Sequence, residues 1–192
     1  MMNDFANSNP EPIPNLDHDR QPGSSPPHAP RSVIVVAVEP SQPDAVLLEA
    51  CALAVDLGCE LACAHVDLSR YAVQENQDGS VVSAYFNSDL PELSEETFDA
   101  RLAEHIDALL TARGVAYTLR ALAGDPTRAL AHLAETLNAR LIVVGTHHPG
   151  FRRGVKAFFN GSVAVNLAHR QHRPVVVVPL SPVIDGSRLP WE

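Results

Sequence analysis

Residues 140–179 read RLIVVGTHHPGFRRGVKAFFNGSVAVNLAHRQHRPVVVVP, and the organisation of the whole chain can be worked out from this segment. Leu141–Val144 is an unbroken apolar run with the length of a strand buried on both faces, as in a parallel sheet. Several glycines follow, a helical pattern begins at Gly161–Ser162, and four valines after Pro174 form a second buried strand. The segment therefore predicts strand, glycine-rich loop, helix and strand. The loop lies at the carboxyl end of its strand, where open α/β sheets bind ligands.

The charge of this segment is opposite to that of the chain as a whole. Residues 140–173 contain six Lys or Arg and no Asp or Glu, whereas the 192-residue chain has 14 basic and 23 acidic residues and a net charge of −9. Unpaired N–H groups at a helix start, glycine backbone and nearby cations together favour an anion, most simply a phosphate. We therefore predict a phosphate site that includes Arg152, Arg153 or Lys156 and Ser162. The alternative is that the glycines only turn the chain and the cations only keep it in solution.

Upstream of this segment, apolar runs and helical patterns alternate. Strands are predicted at 32–38, 59–66 and 115–122, and helices at 41–58, at 94–113 and from Asp125–Pro126 onward. The 94–113 helix would carry Glu95 and Glu96 in its first turn, and Ser41 would cap the 41–58 helix. Short connections and right-handed crossovers then predict an α/β fold with a single doubly wound, parallel, five-stranded sheet, Rossmann-like in form. Residues 67–93 show no clear pattern beyond a possible short strand at 81–86, and a loop of this length could cover a ligand site.

Composition bounds the domain and the classes of function. Residues 1–30 are rich in Pro, Asn, Asp and Ser and predict a disordered N-terminal tail, followed by one domain at 31–180 and a C-terminal tail at 181–192. No apolar run approaches about 20 residues, so no membrane span is expected. The acidic net charge argues against nucleic-acid binding. Cys51, Cys59 and Cys63 have the character of small buried hydrophobic residues in a reducing cytoplasm.

Three pieces of the chain, Leu141–Gly145, Gly161–Val163 and Pro174–Pro179, resemble the C-terminal half of the universal stress protein family. The resemblance covers residues 31–180 and implies the strand order 3-2-1-4-5. Nucleotide-binding members of that family carry Gly, two residues, Gly, nine residues, then Gly-Ser or Gly-Thr. Gly145 and Gly161–Ser162 match this motif. The middle glycine of the motif is missing. Three residues after Gly145 stands His148, and ten residues before Gly161 stands Phe151. The loop is also longer than the family pattern.

The resemblance implies an adenine nucleotide ligand, ATP with or without magnesium, in a stress-response regulator that forms a homodimer through residues 174–179 and acts on a protein partner not named by the sequence. Glu39 stands where family members carry an Asp at the tip of the first strand, and Val66 would contribute backbone near the adenine. The predicted nucleotide-binding residues are Ala37, Val38, Glu39, Val66, Val144, Gly145, Gly150, Arg152, Arg153, Gly154, Gly161, Ser162 and Val163.

Other chemistry is disfavoured by missing motifs. There is no Gly-x-Ser-x-Gly elbow, and the P-loop spacing of Gly145 and Gly150 is followed by Phe151–Arg152 instead of Lys-Ser/Thr. His147 and His148 have no third ligand at a defined spacing, so no metal site is predicted. We expect no enzyme, although weak ATPase activity stays open. The alternatives are a dimeric interaction module of the same fold that binds no nucleotide, and an ATP-hydrolysing or nucleotidyl-transferring enzyme.

Overall fold

The computed structural model describes residues 32–76, 80–86, 93–146 and 162–180, with only the backbone at Ser162. The predicted tails and most of the glycine-rich loop lie outside the described residues. In chain order the elements are β1 (Val33–Ala37), α1 (Ala45–Leu57), β2 (Glu60–Asp67), β3 (Arg70–Glu75), β4 (Val81–Tyr85), β5 (Ser94–Glu95), α2 (Ala100–Thr111), β6 (Tyr117–Ala123), α3 (Pro126–Thr136), β7 (Leu141–Gly145), α4 (Ser162–Arg170) and β8 (Val175–Val178).

Five strands form a parallel sheet in the order β6-β2-β1-β7-β8. When these strands are numbered along the chain, this is the order 3-2-1-4-5, so the predicted fold is confirmed. Strand β1 lies at the centre and pairs with β2 on one side and with β7 on the other. Parallel pairing on both sides, with helices on both faces, explains why β1 and β7 are unbroken apolar runs.

The two faces of the sheet belong to two separate apolar cores. Ile34 and Val36 face α1 and α2, whereas Val35 faces α3 and α4. This alternation follows from the two-residue period of a strand. The helices therefore cover the sheet on both sides, which is the doubly wound arrangement that the sequence predicts.

Helix boundaries follow local chemistry. The side chain of Asp125 accepts a hydrogen bond from Arg128 N at 2.9 Å, and Pro126 takes the first helical position, as predicted for α3. The prediction that Ser41 caps α1 is wrong. Ser41 has a left-handed φ of 64°. Gln42 precedes a proline, which disfavours helical backbone angles at Gln42. The helix therefore begins only after Asp44.

Residues 94–99 also depart from the prediction. The helix expected from Ser94 begins at Ala100, because the Asp99 carboxylate caps it by accepting from Leu102 N at 2.8 Å. Ser94–Glu95 instead forms β5, the last strand of a three-stranded antiparallel sheet of order β3-β4-β5. The possible strand at 81–86 is confirmed as β4, whereas β3 and β5 were not predicted. This small sheet packs against β6 at the edge of the main sheet. Its described residues therefore make their main contacts at β6, to one side of the predicted ligand site.

A buried ion pair joins the three strands of the small sheet. Arg70 Nε lies 2.7 Å from Glu96 Oε1, and the two side chains are 9% and 7% exposed. The guanidinium also donates to Ser83 Oγ at 2.6 Å, to Ser83 O at 3.0 Å and to the Ser94 hydroxyl. The ring of Tyr85 lies 4.2 Å from the guanidinium carbon. Strand β3 thus supplies the cation, β4 and β5 supply Ser83 and Ser94 as its partners, and Glu96 follows directly after β5, so one guanidinium holds the three strands together.

All three cysteines are free and buried, as the sequence predicts. Burial raises the pKa of the Cys63 thiol to about 12. Within the described part of the chain, no helix has both the length and the apolar character that crossing a bilayer requires.

Arg70→Met should lower the free energy of unfolding by about 3 kcal/mol, because it leaves the Glu96 carboxylate buried without its cation. The double variant Arg70→Met with Glu96→Leu should lose less than the single variant, since no buried charge is then left unpaired. Urea unfolding measures both differences. A loss below about 1 kcal/mol in the single variant, the scale of an exposed pair, would contradict a stabilising role for the buried Arg70–Glu96 pair.

Candidate functional site

The candidate site lies at the carboxyl ends of β1 and β7, where the direction of strand addition in the sheet reverses. From β1 the chain crosses through α1 to β2, while β7 on the other side of β1 is reached through α3. The connections on the two sides lie on opposite faces, which opens a crevice beyond the strand ends. Val38–Glu39 and Gly145–Thr146 are the residues that border this crevice.

Glu39 is the first charged residue after β1. It is half-buried, and desolvation raises the pKa of its carboxyl group from 4.5 to about 6. Among the described residues, no hydrogen bond or ion pair is made by this carboxylate. A partly desolvated acceptor without a protein donor favours a donor from a ligand, such as a sugar hydroxyl.

Both backbone polar groups of Val38, at the tip of β1, form hydrogen bonds. Val38 N donates to Ala64 O at 2.9 Å, and His65 Nδ1 lies 3.2 Å from Val38 O, an acceptor to which the ring donates. The His65 ring is itself placed by an edge-on contact with Phe98, with centroids 6.3 Å apart. His65 therefore orients the peptide that carries Glu39. In the sequence, His65 can be recognised as a polar residue near the end of an otherwise apolar strand.

Gly145 is required at the tip of β7 by close packing. A Cβ at this position would lie 2.8 Å from Val46 Cγ2, 3.0 Å from Gln42 Nε2 and 3.0 Å from Leu180 Cδ1. Real Cβ atoms essentially never approach another heavy atom within 3.0 Å. The first glycine of the predicted motif thus has a packing reason that involves the start of α1, and its contact with a nucleotide stays a prediction.

Thr146 ties the end of β7 to the chain that follows β8. Its backbone N–H donates to Val178 O at 2.8 Å, and its hydroxyl accepts from Leu180 N at 2.8 Å. No role was predicted for Thr146 from the sequence. A hydroxyl directly after a buried strand and a glycine is the pattern that would have found it.

The structure brings part of the predicted site together. Ala37, Val38 and Glu39 lie at the end of β1, and Val144 and Gly145 at the end of β7, with Val36 of β1 in register with Val143. Val66 is on β2, two residues beyond the level at which Ala37 pairs with Ala64. Val163 is buried in the first turn of α4. Gly150, Arg152, Arg153, Gly154 and Gly161, with the side chain of Ser162, lie outside the described residues.

No cluster of three metal-ligating side chains is present in residues 32–76, 80–86, 93–146 or 162–180. His147 and His148 lie outside these ranges. His105 is exposed and lies 2.7 Å from the Asp44 carboxylate. It links α2 to the cap of α1 and takes no part in the crevice.

Comparison with known proteins gives a match over most of the chain. The sequence model described as the universal stress protein family matches residues 30–179. No curated protein matches the chain.

Solved structures with a similar fold are universal stress proteins. One from Burkholderia pseudomallei is 24% identical, with a TM-score of 0.51, and the match covers 80% of this chain and 99% of that one. One from Archaeoglobus fulgidus in complex with dAMP is 18% identical, with a TM-score of 0.49 and coverage of 78% and 99%. A universal stress protein in complex with cAMP is 19% identical, with a TM-score of 0.49 and coverage of 80% and 100%.

The raised pKa of Glu39 predicts a pH dependence of stability. A carboxyl group whose pKa is higher in the folded than in the unfolded state stabilises the fold below the unfolded value, and this stabilisation is lost as pH rises through the folded value. Between the ordinary 4.5 and about 6, the wild type should lose about 2 kcal/mol relative to Glu39→Gln. Urea unfolding of both proteins across this range measures the difference, in which other carboxylates cancel. A difference that does not change with pH would contradict the burial of this group.

Proposed function

Because the chain belongs to the universal stress protein family, we propose that it binds an adenine nucleotide at the carboxyl ends of β1 and β7. We expect ATP, with or without magnesium, and a role as a stress-response regulator whose nucleotide state alters its contact with a protein partner. We propose binding without efficient catalysis, since the sequence has no nucleophile elbow and no complete phosphate-loop motif. The free, buried cysteines fit action in a reducing cytoplasm.

One observation carries the proposal, namely the Glu39 carboxylate. It stands at the crevice where open α/β sheets bind nucleotides, and it is partly desolvated without a described partner. Ribose presents two adjacent hydroxyl donors, and a carboxylate can accept from both. Donors that approach the ionised form would also offset the cost of its desolvation.

The phosphate groups would lie toward the start of α4. This helix begins at Ser162, and the chain that leads to it leaves the carboxyl end of β7. N–H groups in the first helical turn have no partner within the helix and attract phosphate oxygens. The predicted contacts from Gly161, Ser162, Arg152 and Arg153 complete the proposal.

Relatives with bound ligands agree with the ligand class but do not carry the argument. The complexes with cAMP and dAMP are those of other universal stress proteins. For this chain, the proposal rests on family membership and on the position of Glu39.

A second candidate is an interaction module of the same fold that binds no nucleotide. The observation that favours it is the crowding at Gly145, where an added Cβ would lie within 3.0 Å of Val46, Gln42 and Leu180. In this alternative the glycine is kept for packing alone, and the dimer is the functional unit.

Titration of ATP with magnesium should show saturable binding with one nucleotide per chain. Glu39→Ala should weaken binding by about tenfold or more, because a hydrogen bond to a charged group contributes about 1.5–3 kcal/mol. Calorimetry and the shift in melting temperature measure this. At pH 6, binding should also release protons, seen as a heat that depends on the buffer, because the ligand favours the ionised carboxylate.

Glu49→Ala is the matched control, because Glu49 is exposed on α1. It should bind ATP as the wild type does. No heat and no melting shift at millimolar ATP would reject nucleotide binding and leave the interaction module. Equal losses in both variants would reject the role of Glu39.

We also propose that the chain forms a homodimer through β8. This strand is at the edge of the main sheet, pairs with β7 on one side, and carries no charge from Val175 to Val178. An uncharged edge strand exposes unpaired N–H and C=O groups and is a template for pairing with another chain. Pairing with a second copy about a two-fold axis would satisfy those groups.

Val177→Lys should shift the protein from dimer to monomer, because this side chain is 44% exposed on the edge strand and would place two like charges at the interface. Val73→Lys is the control, since Val73 is 48% exposed on β3, which packs against β6 at the opposite edge of the main sheet. Analytical ultracentrifugation at micromolar concentration measures the mass of the particle in solution and so distinguishes dimer from monomer. A monomeric wild type, or a Val177→Lys dimer, would reject this interface.

A further inference from the structure

A second polar groove lies on the α3–α4 side of the molecule, away from Glu39. It has a volume of about 460 Å³ and runs along α3 past Arg128, His132 and Glu135. Its other wall is the end of α4, with Arg170, and the turn that leads to β8, with His172 and Arg173. This turn precedes the amino end of β8. It therefore lies at the amino ends of the parallel strands, whereas the candidate nucleotide site lies at their carboxyl ends.

The groove is cationic in a protein of net charge −9. Its walls carry three arginines, which stay charged at any physiological pH, and one carboxylate, that of Glu135. The ion pairs among the described residues join Arg70 to Glu96, His105 to Asp44 and His132 to Glu75. His132 is thus engaged with Glu75 of β3, whereas none of the three groove arginines pairs with a described carboxylate.

Helix stability does not account for this arrangement. Arg170 ends α4, where a cation is favourable, but Arg128 is in the first turn of α3, where the helix dipole disfavours a positive charge. Arg128 is exposed, and its charge adds nothing to the stability of α3. A bound anion would offset the unfavourable dipole at this position.

The turn also holds one guanidinium in place. Arg173 Nε donates to Ala139 O at 2.8 Å. Gln171 brackets the same residue, because its side-chain oxygen accepts from Arg173 N at 2.6 Å and its amide donates to Arg173 O at 2.7 Å. Arg173 Nη2 also makes a long contact of 3.5 Å with Asn138 Oδ1. A guanidinium fixed by neutral oxygen atoms keeps its charge, and its other N–H donors stay available. Such preorganisation lowers the entropy lost when a ligand binds.

We propose that this groove binds a small molecule with two or more phosphate groups, at a site separate from the nucleotide crevice. Guanidinium forks match pairs of phosphate oxygens, and three of them require more than one anionic group for neutrality. The volume falls within the range of small-molecule sites, about 300–1,000 Å³. This site does not depend on nucleotide binding at Glu39.

Calorimetry with inorganic tripolyphosphate tests the site on the full chain. Binding should be saturable, and Arg128→Gln with Arg170→Gln should weaken it by about tenfold or more, as expected for two lost charge-assisted contacts. Both arginines are exposed, so the double variant should fold, which circular dichroism and the melting temperature verify. Glu135→Gln should bind more tightly, by about two- to fivefold, because the one carboxylate of the groove no longer repels the probe.

The matched control is Arg101→Gln with Arg113→Gln, two exposed arginines of the α2 region on the other face, and it should bind as the wild type does. Equal losses in control and groove variants would reduce the effect to net charge and overturn the proposal. Tripolyphosphate binding that is absent, or unchanged in the groove variant, would overturn it as well. Citrate separates phosphate recognition from charge alone, and citrate bound as tightly as tripolyphosphate would refute the phosphate preference.

Discussion

The structure depends on the complete enclosure of strand β1. Its central residues have no exposed surface, because β2 and β7 pair with its edges and the two helix layers cover its faces. An enclosed parallel strand tolerates no unpaired polar side chain, so polar chemistry is displaced to its ends. Glu39 follows directly after the enclosed part of the chain. The same constraint that stabilises the fold therefore sets the place where a ligand can be bound.

The parts of the fold that have a regular apolar pattern or a local cap could be predicted from the sequence. Strand order came from the resemblance, and the positions of β1, β7, α3 and β8 followed from apolar runs, the Asp125–Pro126 cap and the four valines. These features are local, and each can be recognised in a few residues. The structure confirms all of them.

Of the small sheet only the strand at 81–86 was predicted, because the interaction that joins the three strands is not local. Arg70 and Glu96 are 26 positions apart, and nothing in a helical or strand period indicates that two charged residues will be buried together. Glu96 instead resembled an acidic residue in the first turn of a helix. The crowding at Gly145 was hidden for the same reason, since it arises from Val46 and Leu180 at the two ends of the domain. For the candidate site, the sequence located the strand tips and Glu39, but not the support from His65 or the tie through Thr146.

The buried thiols have a consequence for how the protein can meet oxidants. Cys63 lies in the middle of β2 without exposed surface, and the pKa of its thiol, about 12, leaves almost no thiolate at neutral pH. Cys51, on α1 in the same core, has a raised pKa as well. Only the thiolate attacks peroxide and alkylating reagents at an appreciable rate, so in the folded protein both sulfurs are inert. Their reactivity therefore measures how often the core opens, and the chain carries its own reporter of that motion.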